Sequence, residues 1–196
     1  GLVQGGPITF RGKRSLMLHL GCGRNNRPGW VNIDLCSDGP DLQLDLRETL
    51  PFDDGSVVLI YNEHFFEHIP YPNDVKKLLA SFLRVLEPGG VLSMSMPDAE
   101  RGLRDYVEEG GKRLRAEHPS WLPSWCDTPM HQVNYLFRQM GEHQYAWDFE
   151  SLSKVLQNAG FTNVERRAWD ASLDSEAWKG PGTLCVKAVK PGGASK

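Results

Sequence analysis

A Gly-x-Gly turn, Gly21-Cys22-Gly23, directly follows the apolar run Leu16-Met17-Leu18-His19-Leu20. Soon after it, Val31-Asn32-Ile33-Asp34-Leu35 carries an acid next to its end. Glycine lets a backbone approach a ligand closely, and a carboxylate at a strand end accepts the protons of both ribose hydroxyls. The pair suits a nucleoside-bearing cofactor, although a Gly-x-Gly alone is weak evidence because turns use glycine everywhere. Histidine is the other side chain that works near neutral pH. The chain has six, at positions 19, 64, 68, 118, 131 and 143. Its four cysteines, Cys22, Cys36, Cys126 and Cys185, show no Cys-x-x-Cys spacing. Scattered reduced thiols are therefore expected in place of a zinc site or a disulfide framework, which fits a cytoplasmic protein.

The length of 196 residues suits one domain with a full core. Apolar residues make up 40% and charged residues 24%, the profile of an ordinary globule. The net charge of -3 argues against a general attraction to nucleic acid or anionic lipid, so neither is an expected partner. No apolar run is long enough to span a bilayer. Residues 1–14 and 191–196 read as flexible ends around a single domain over 15–190. The oligomeric state is left open.

The elements that must position these residues alternate. Strands are expected at 16–20, 31–35, 41–46 and 57–61, the last a β-rich apolar run after turn chemistry at Leu50 to Ser56. Val75, Leu78, Leu79, Phe82, Leu83 and Leu86 recur at helical spacing, with Asn73 or Asp74 as the cap and Pro88-Gly89-Gly90 as the stop. Val91 to Met96 is the next strand. Alternation of this kind argues a parallel sheet with crossover helices. Residues 98–147 break the rhythm with a charged helix from Arg101 to Glu117, a Trp- and Pro-rich stretch and a His- and aromatic-rich segment. They read as an insertion too short and polar to carry its own core. Regularity returns with Phe149, Leu152, Val155, Leu156 and Ala159 on one helix face, capped by Asp148 and closed by Gly160. Two strands follow, near 163–169 and 183–190.

With these elements in place, the chain resembles the class I S-adenosylmethionine-dependent methyltransferases, and within them small bacterial members linked to sugar and cell-surface polysaccharide pathways. The matching residues are Leu18-His19-Leu20-Gly21-Cys22-Gly23, Asn32-Ile33-Asp34-Leu35, Leu44-Asp45-Leu46, Leu50 to Ser56, Phe66-Glu67-His68-Ile69, Arg84 to Gly90 and Ala159-Gly160-Phe161, in the family's order. The resemblance implies an α/β, Rossmann-like, doubly wound seven-stranded sheet with its last strand antiparallel, plus a lid insertion at about 98–147 after the fifth strand. It implies S-adenosylmethionine as cofactor. Gly21 and Gly23 would lie under its methionine part, Asp34 with Leu35 beside its ribose, and Asp45 with Leu46 at its adenine edge. Asn62 and Glu63 would face its methionine moiety. The family usually has an acid where His19 stands. Asp34 also follows Gly23 sooner than the roughly twenty positions typical of a dinucleotide fingerprint. The first crossover helix must then be very short or replaced by a loop.

A sulfonium methyl is already activated, so positioning supplies most of the rate, and a general base adds about 10²–10⁴-fold for a hydroxyl acceptor. His131 and His143, in the expected lid near Tyr135, Tyr145 and Trp147, are the first candidates for that base, with packing of the lid as the alternative. His64, close to the end of the fourth strand, is a third. His19 and His68 read as structural, and no metal is expected, because no family-like metal motif accompanies the histidines. The favoured function is methyl transfer to a small-molecule acceptor, at an oxygen of a sugar or natural-product intermediate. An RNA methyltransferase is the alternative; against it stand the acidic balance, the lack of an appended RNA domain and Tyr61-Asn62-Glu63-His64 in place of an amine-directed Asn-Pro-Pro-Tyr. A non-catalytic S-adenosylmethionine-binding module is the third reading.

Overall fold

The computed structural model describes residues 10–35, 39–117 and 119–192. Cys36, His118 and much of the two expected flexible ends lie outside them. The first half alternates β1 (Leu16–Leu20), β2 (Val31–Asp34), a short β3 (Leu42–Gln43), β4 (Val57–Glu63), α1 (Asn73–Val85) and β5 (Leu86–Pro97). Then come α2 (Ala99–Arg104), α3 (Lys112–Glu117), α4 (Pro129–Arg138), α5 (Phe149–Ala159), β6 (Thr162–Arg166) and β7 (Thr183–Val189). The strands form one seven-stranded sheet in the order β3-β2-β1-β4-β5-β7-β6. Strands β1 to β5 pair in parallel, and β7 runs antiparallel between β5 and β6. This is the sheet the resemblance implied.

Parallel strands need apolar faces, and the core shows it. Leu18, Leu20, Ile33, Ile60, Leu92 and Met94 are buried with Val75, Leu78, Leu79 and Phe82 of α1 and Leu152 and Leu156 of α5. Each such side chain contributes about 1.5–3 kcal/mol on leaving water. Asp148 caps α5 through a reciprocal pair with Ser151 (Ser151 N to Asp148 Oδ1 2.8 Å, Asp148 N to Ser151 Oγ 3.3 Å), and Gly160 closes the helix at φ +112°.

Several local expectations need correction. α1 has no side-chain cap; Pro72 holds the cap position, so neither Asn73 nor Asp74 does that work. The helix already ends at Val85, and Pro88-Gly89-Gly90 forms an irregular bulge in β5, between the pairs Val57 with Leu86 and Leu59 with Val91. The strand expected over 41–46 shrinks to two residues, leaving Asp45 and Leu46 in the following turn. The charged helix breaks at Gly110 and Gly111, both at positive φ, after a π-helical turn. The insertion also carries a small core of its own, Leu114, Leu122, Cys126 and Leu136, against which Trp121, Tyr135 and Phe137 pack. Leu114 lies on the six-residue α3, Tyr135, Leu136 and Phe137 lie on α4, and Trp121, Leu122 and Cys126 come from the irregular stretch between them, so no single periodicity announces the cluster.

No helix stands between β1 and β2, as their short spacing implied. The sheet face carrying His19 and Tyr61 is met instead by the 21–30 loop and by the segment that follows β6. Among the described residues Cys126 and Cys185 are free and buried thiols, Cys22 is buried, and no helix is long and apolar enough to cross a membrane.

Candidate active site

The turn after β1 is built by two glycines at left-handed φ, +64° at Gly21 and +54° at Gly23, a conformation that costs other residues about 1–2 kcal/mol. The N–H of Gly21 donates to the carbonyl of Ile33 at 2.9 Å, which ties the turn to β2. The N–H of Gly23 donates to Asp34 Oδ2 at 2.7 Å. The acid at the end of β2 thus holds the glycine turn, a charge-assisted bond of the stronger kind. Against Gly21 lies the ring of Phe65. A Cβ at position 21 would meet Phe65 carbons at 2.7 Å, whereas one at position 23 would meet nothing within 4 Å.

Beyond the carboxyl ends of β1 and β2, where ligands bind parallel sheets, opens a cavity of about 410 Å³. That volume lies within the usual range for small-molecule sites. Gly21, Asp34 and Leu35 form one side; Asp45, Leu46 and Arg47 form another; Phe65, His68 and Gln144 close it. Arg47 grips Asp45 through Nε (2.9 Å to Oδ1) and Nη2 (2.6 Å to Oδ2), and this hydrogen bonding holds the Asp45 carboxyl below its ordinary range.

The structure therefore brings together Gly21, Asp34, Leu35, Asp45 and Leu46 of the expected cofactor residues. Gly23 takes part through Asp34 and does not line the cavity. Asn62 is fully buried beside Leu20 in the ladder, with neither amide atom hydrogen-bonded. Glu63 turns to Ser175, accepting from its N–H at 2.9 Å and from its hydroxyl. The three histidines expected to act in transfer go to separate places. His131 is exposed at the start of α4, its Nδ1 2.9 Å from Asp127 Oδ1. His64, at φ +49°, packs its ring 4.0 Å from that of Trp178. His143 is buried, with Nδ1 2.7 Å from the carbonyl oxygen of Leu136 and its ring crossing that of His68 at 4.9 Å. Burial pushes its pKa down.

His68, read from sequence as structural, lines the cavity together with Phe65, Arg47 and Gln144, which the sequence reading gave no role. His68 had a signal, because it belongs to the Phe66-Glu67-His68-Ile69 match. Gln144 had none; it arrives through main-chain pairing, with Gln144 N donating to the carbonyl of Glu67 at 2.8 Å.

A family model described as a methyltransferase domain matches residues 15–166. Among solved structures the chain is similar to one from the complex between the Haloferax volcanii Trm112 methyltransferase activator and the putative methyltransferase (17% identity over 94% of this chain and 85% of that one, TM-score 0.53). It is similar to a SAM-dependent methyltransferase from Archaeoglobus fulgidus (16% identity, 92% and 88% covered, TM-score 0.54). It is also similar to Burkholderia thailandensis 1,6-didemethyltoxoflavin-N1-methyltransferase, solved with 1,6-didemethyltoxoflavin and S-adenosylhomocysteine (15% identity, 92% and 72% covered, TM-score 0.55). Identities this low speak for the fold. None of the curated proteins matches the chain.

Proposed function

The chain belongs to the methyltransferase domain family, and from that premise we propose that it transfers the methyl group of S-adenosylmethionine to an oxygen of a small-molecule acceptor. One observation carries the reading: the cavity beyond β1 and β2 is walled by Gly21, Asp34 and Leu35 on one side and by Asp45 and Leu46 on the other. These are an acid at a strand end, a backbone that a ligand can approach, and a second acid in the next turn. That set fits a ribose and an adenine edge, and the buried Asn62 amide next to Leu20 offers unspent donors and an acceptor beneath the same turn. Bound there, S-adenosylmethionine supplies a sulfonium-activated methyl group.

The protein's own work is positioning. Asp34 fixes the glycine turn and accepts from the ribose hydroxyls, and Phe65 presses the turn from the other side. Gln144, from the end of the 98–147 insertion, brings that insertion to the cavity mouth, in keeping with a lid on the acceptor side. Of the three histidines, His143 keeps a part in this reading as the group behind His68, which itself lines the cavity; His131 and His64 are given none. The net charge of -3 favours a small acceptor over RNA.

Calorimetry with S-adenosylmethionine tests the site. Asp34→Ala should weaken binding by about 1.5–3 kcal/mol, the range for a hydrogen bond to a charged group. Unchanged affinity removes Asp34 from the site. Transfer of label from the cofactor to small-molecule extracts and to total RNA tests the acceptor, and label in RNA overturns that part of the reading.

A further inference from the structure

The 3₁₀ turn that follows β4 puts Glu67 and His68 next to a residue far along the chain. Gln144 N and Tyr145 N both donate to the carbonyl of Glu67, at 2.8 and 3.2 Å, and this clamp carries His143 against the turn. Ligand atoms of Glu67, His68 and His143, one from each, come within 4.8 Å of one another. We propose that Glu67, His68 and His143 form a binding site for a divalent transition-metal ion, zinc by the nature of the donors, at the wall of the cofactor cavity.

Four observations support the site. The first is the state of the two rings. His68 Nδ1 lies 3.1 Å from the carbonyl oxygen of Glu142, and His143 Nδ1 lies 2.7 Å from that of Leu136. A carbonyl only accepts, so each Nδ1 carries the hydrogen, and Nε2 is the nitrogen each ring has left to offer a metal. Metal-binding histidines are held in this way, with the second ring nitrogen donating to a carbonyl or carboxylate. The second is Glu67. It is only 2% exposed, yet neither carboxylate oxygen has a hydrogen-bond partner. His64 Nδ1 stands 3.4 Å from Oε1, at ion-pair distance without hydrogen-bond geometry. A buried carboxylate so poorly satisfied is costly unless something else neutralises it.

The third observation is distance. Zinc binds nitrogen and oxygen at about 2.0–2.2 Å, which puts tetrahedral ligand atoms about 3.3–3.6 Å apart. Side-chain adjustment of about an ångström takes the present spacing to the bound one. The fourth is access: His68 is half-buried and lines the cavity, while Glu67 and His143 are buried behind it. An ion has a way in, and a three-ligand site leaves a position for water. Two imidazoles and one carboxylate suit a d-block ion, whereas calcium and magnesium prefer all-oxygen sets. The expectation of no metal weighed His131, His143 and Asp148; folding assembles a different set.

The test is a titration of chelator-stripped protein with Zn²⁺ against a chromophoric chelator, and with Co²⁺ followed by its visible absorption. The expected result is one ion per chain, with affinity reduced at least about 100-fold in His68→Ala and in Glu67→Gln, since loss of an outer partner alone costs 10–100-fold. His131→Ala, on an exposed residue of α4, should leave it unchanged. His68 is half-exposed, so its variant keeps the experiment decisive if Glu67→Gln fails to fold. Absence of stoichiometric binding overturns the proposal, as does an ion whose affinity survives both substitutions. S-adenosylmethionine calorimetry on the same stripped protein reads the methyltransferase assignment separately, because Asp34 and Gly21 are not among the metal donors.

Discussion

Alanine at Gly21 and alanine at Gly23 should behave differently, and the structure sets the size of the difference. Both glycines sit at left-handed φ, +64° and +54°. Forcing alanine there costs about 1–2 kcal/mol. Lost freedom of the unfolded chain gives back about 0.4–1 kcal/mol. Gly23→Ala should therefore cost about 0–1.5 kcal/mol, because its Cβ meets open space. At Gly21 the new Cβ would stand 2.7 Å from Cβ and Cδ2 and 2.8 Å from Cγ of Phe65, adding an overpacking penalty of about 1–3 kcal/mol. Melting temperature moves about 2–4 °C per kcal/mol in a chain of this size, so the two variants should separate by several degrees. In a Phe65→Ala background the extra penalty should vanish, giving a coupling of about 1–3 kcal/mol in a double-mutant cycle. Cofactor affinity should follow the same order, since Phe65 is a wall of the cavity. Equal melting temperatures for the two single variants, or no relief from Phe65→Ala, would refute the reasoning.

Two further outcomes concern stability. Burial, followed by the nearby Arg27 charge, pulls the pKa of His19 down from 6.5 to about 4. The unfolded chain then binds the extra proton first, so stability present above pH 6.5 is lost as pH falls toward 4, by up to about 3 kcal/mol; urea melts of His19→Gln should lack that share of the slope, and an identical pH profile sinks the argument. Asp148→Ala removes the carboxylate that accepts from Ser151 N and should cost about 0.5–2 kcal/mol, read as a lowered melting temperature, with no loss meaning that the α5 cap is idle.

What was legible in the sequence is what local chemistry decides. The strand Leu16–Leu20 with its glycine turn follows from an apolar run meeting a residue type that tolerates positive φ. α5 is legible for the same reason, having a period, a capping acid and a closing glycine. The wall of the cavity formed by Gly21, Asp34 and Asp45 was readable because each lies at or just beyond a strand end. The opposite wall was not. Phe65, His68 and Gln144 reach the cavity through a 3₁₀ turn and a main-chain clamp across most of the insertion, and no periodicity encodes such a contact. His143 was read from sequence as a candidate base in the lid, near Tyr135, Tyr145 and Trp147. Its partners in space are Glu67 and His68.

The two departures from the family pattern, histidine at position 19 and the short reach from Gly23 to Asp34, turn out to be one structural feature. With no helix between β1 and β2, the 21–30 loop lies over the sheet face that a helix would have covered with apolar side chains. Loop backbone must be satisfied by polar groups, and the face supplies them. Asn32 accepts from Arg27 N at 2.8 Å and donates to Arg27 O at 3.1 Å, which closes the loop. The remaining contact of that amide oxygen is His19 Nδ1 at 3.3 Å. An acid at position 19 would have met the Asn32 oxygen as acceptor against acceptor; a neutral imidazole can donate to it. Arg27 then stacks over Tyr61, 4.7 Å from its ring centroid, and donates to the carbonyl of Ser172 at 3.1 Å. Tyr61 in turn donates to Asp174, which Arg167 holds at 2.6 Å. Missing one helix, the sheet is sealed by a polar relay running from β1 to the segment after β6. The same relay fixes the loop whose Gly23 N–H donates to Asp34, so the replacement for the helix also holds the Asp34 wall of the cavity in place.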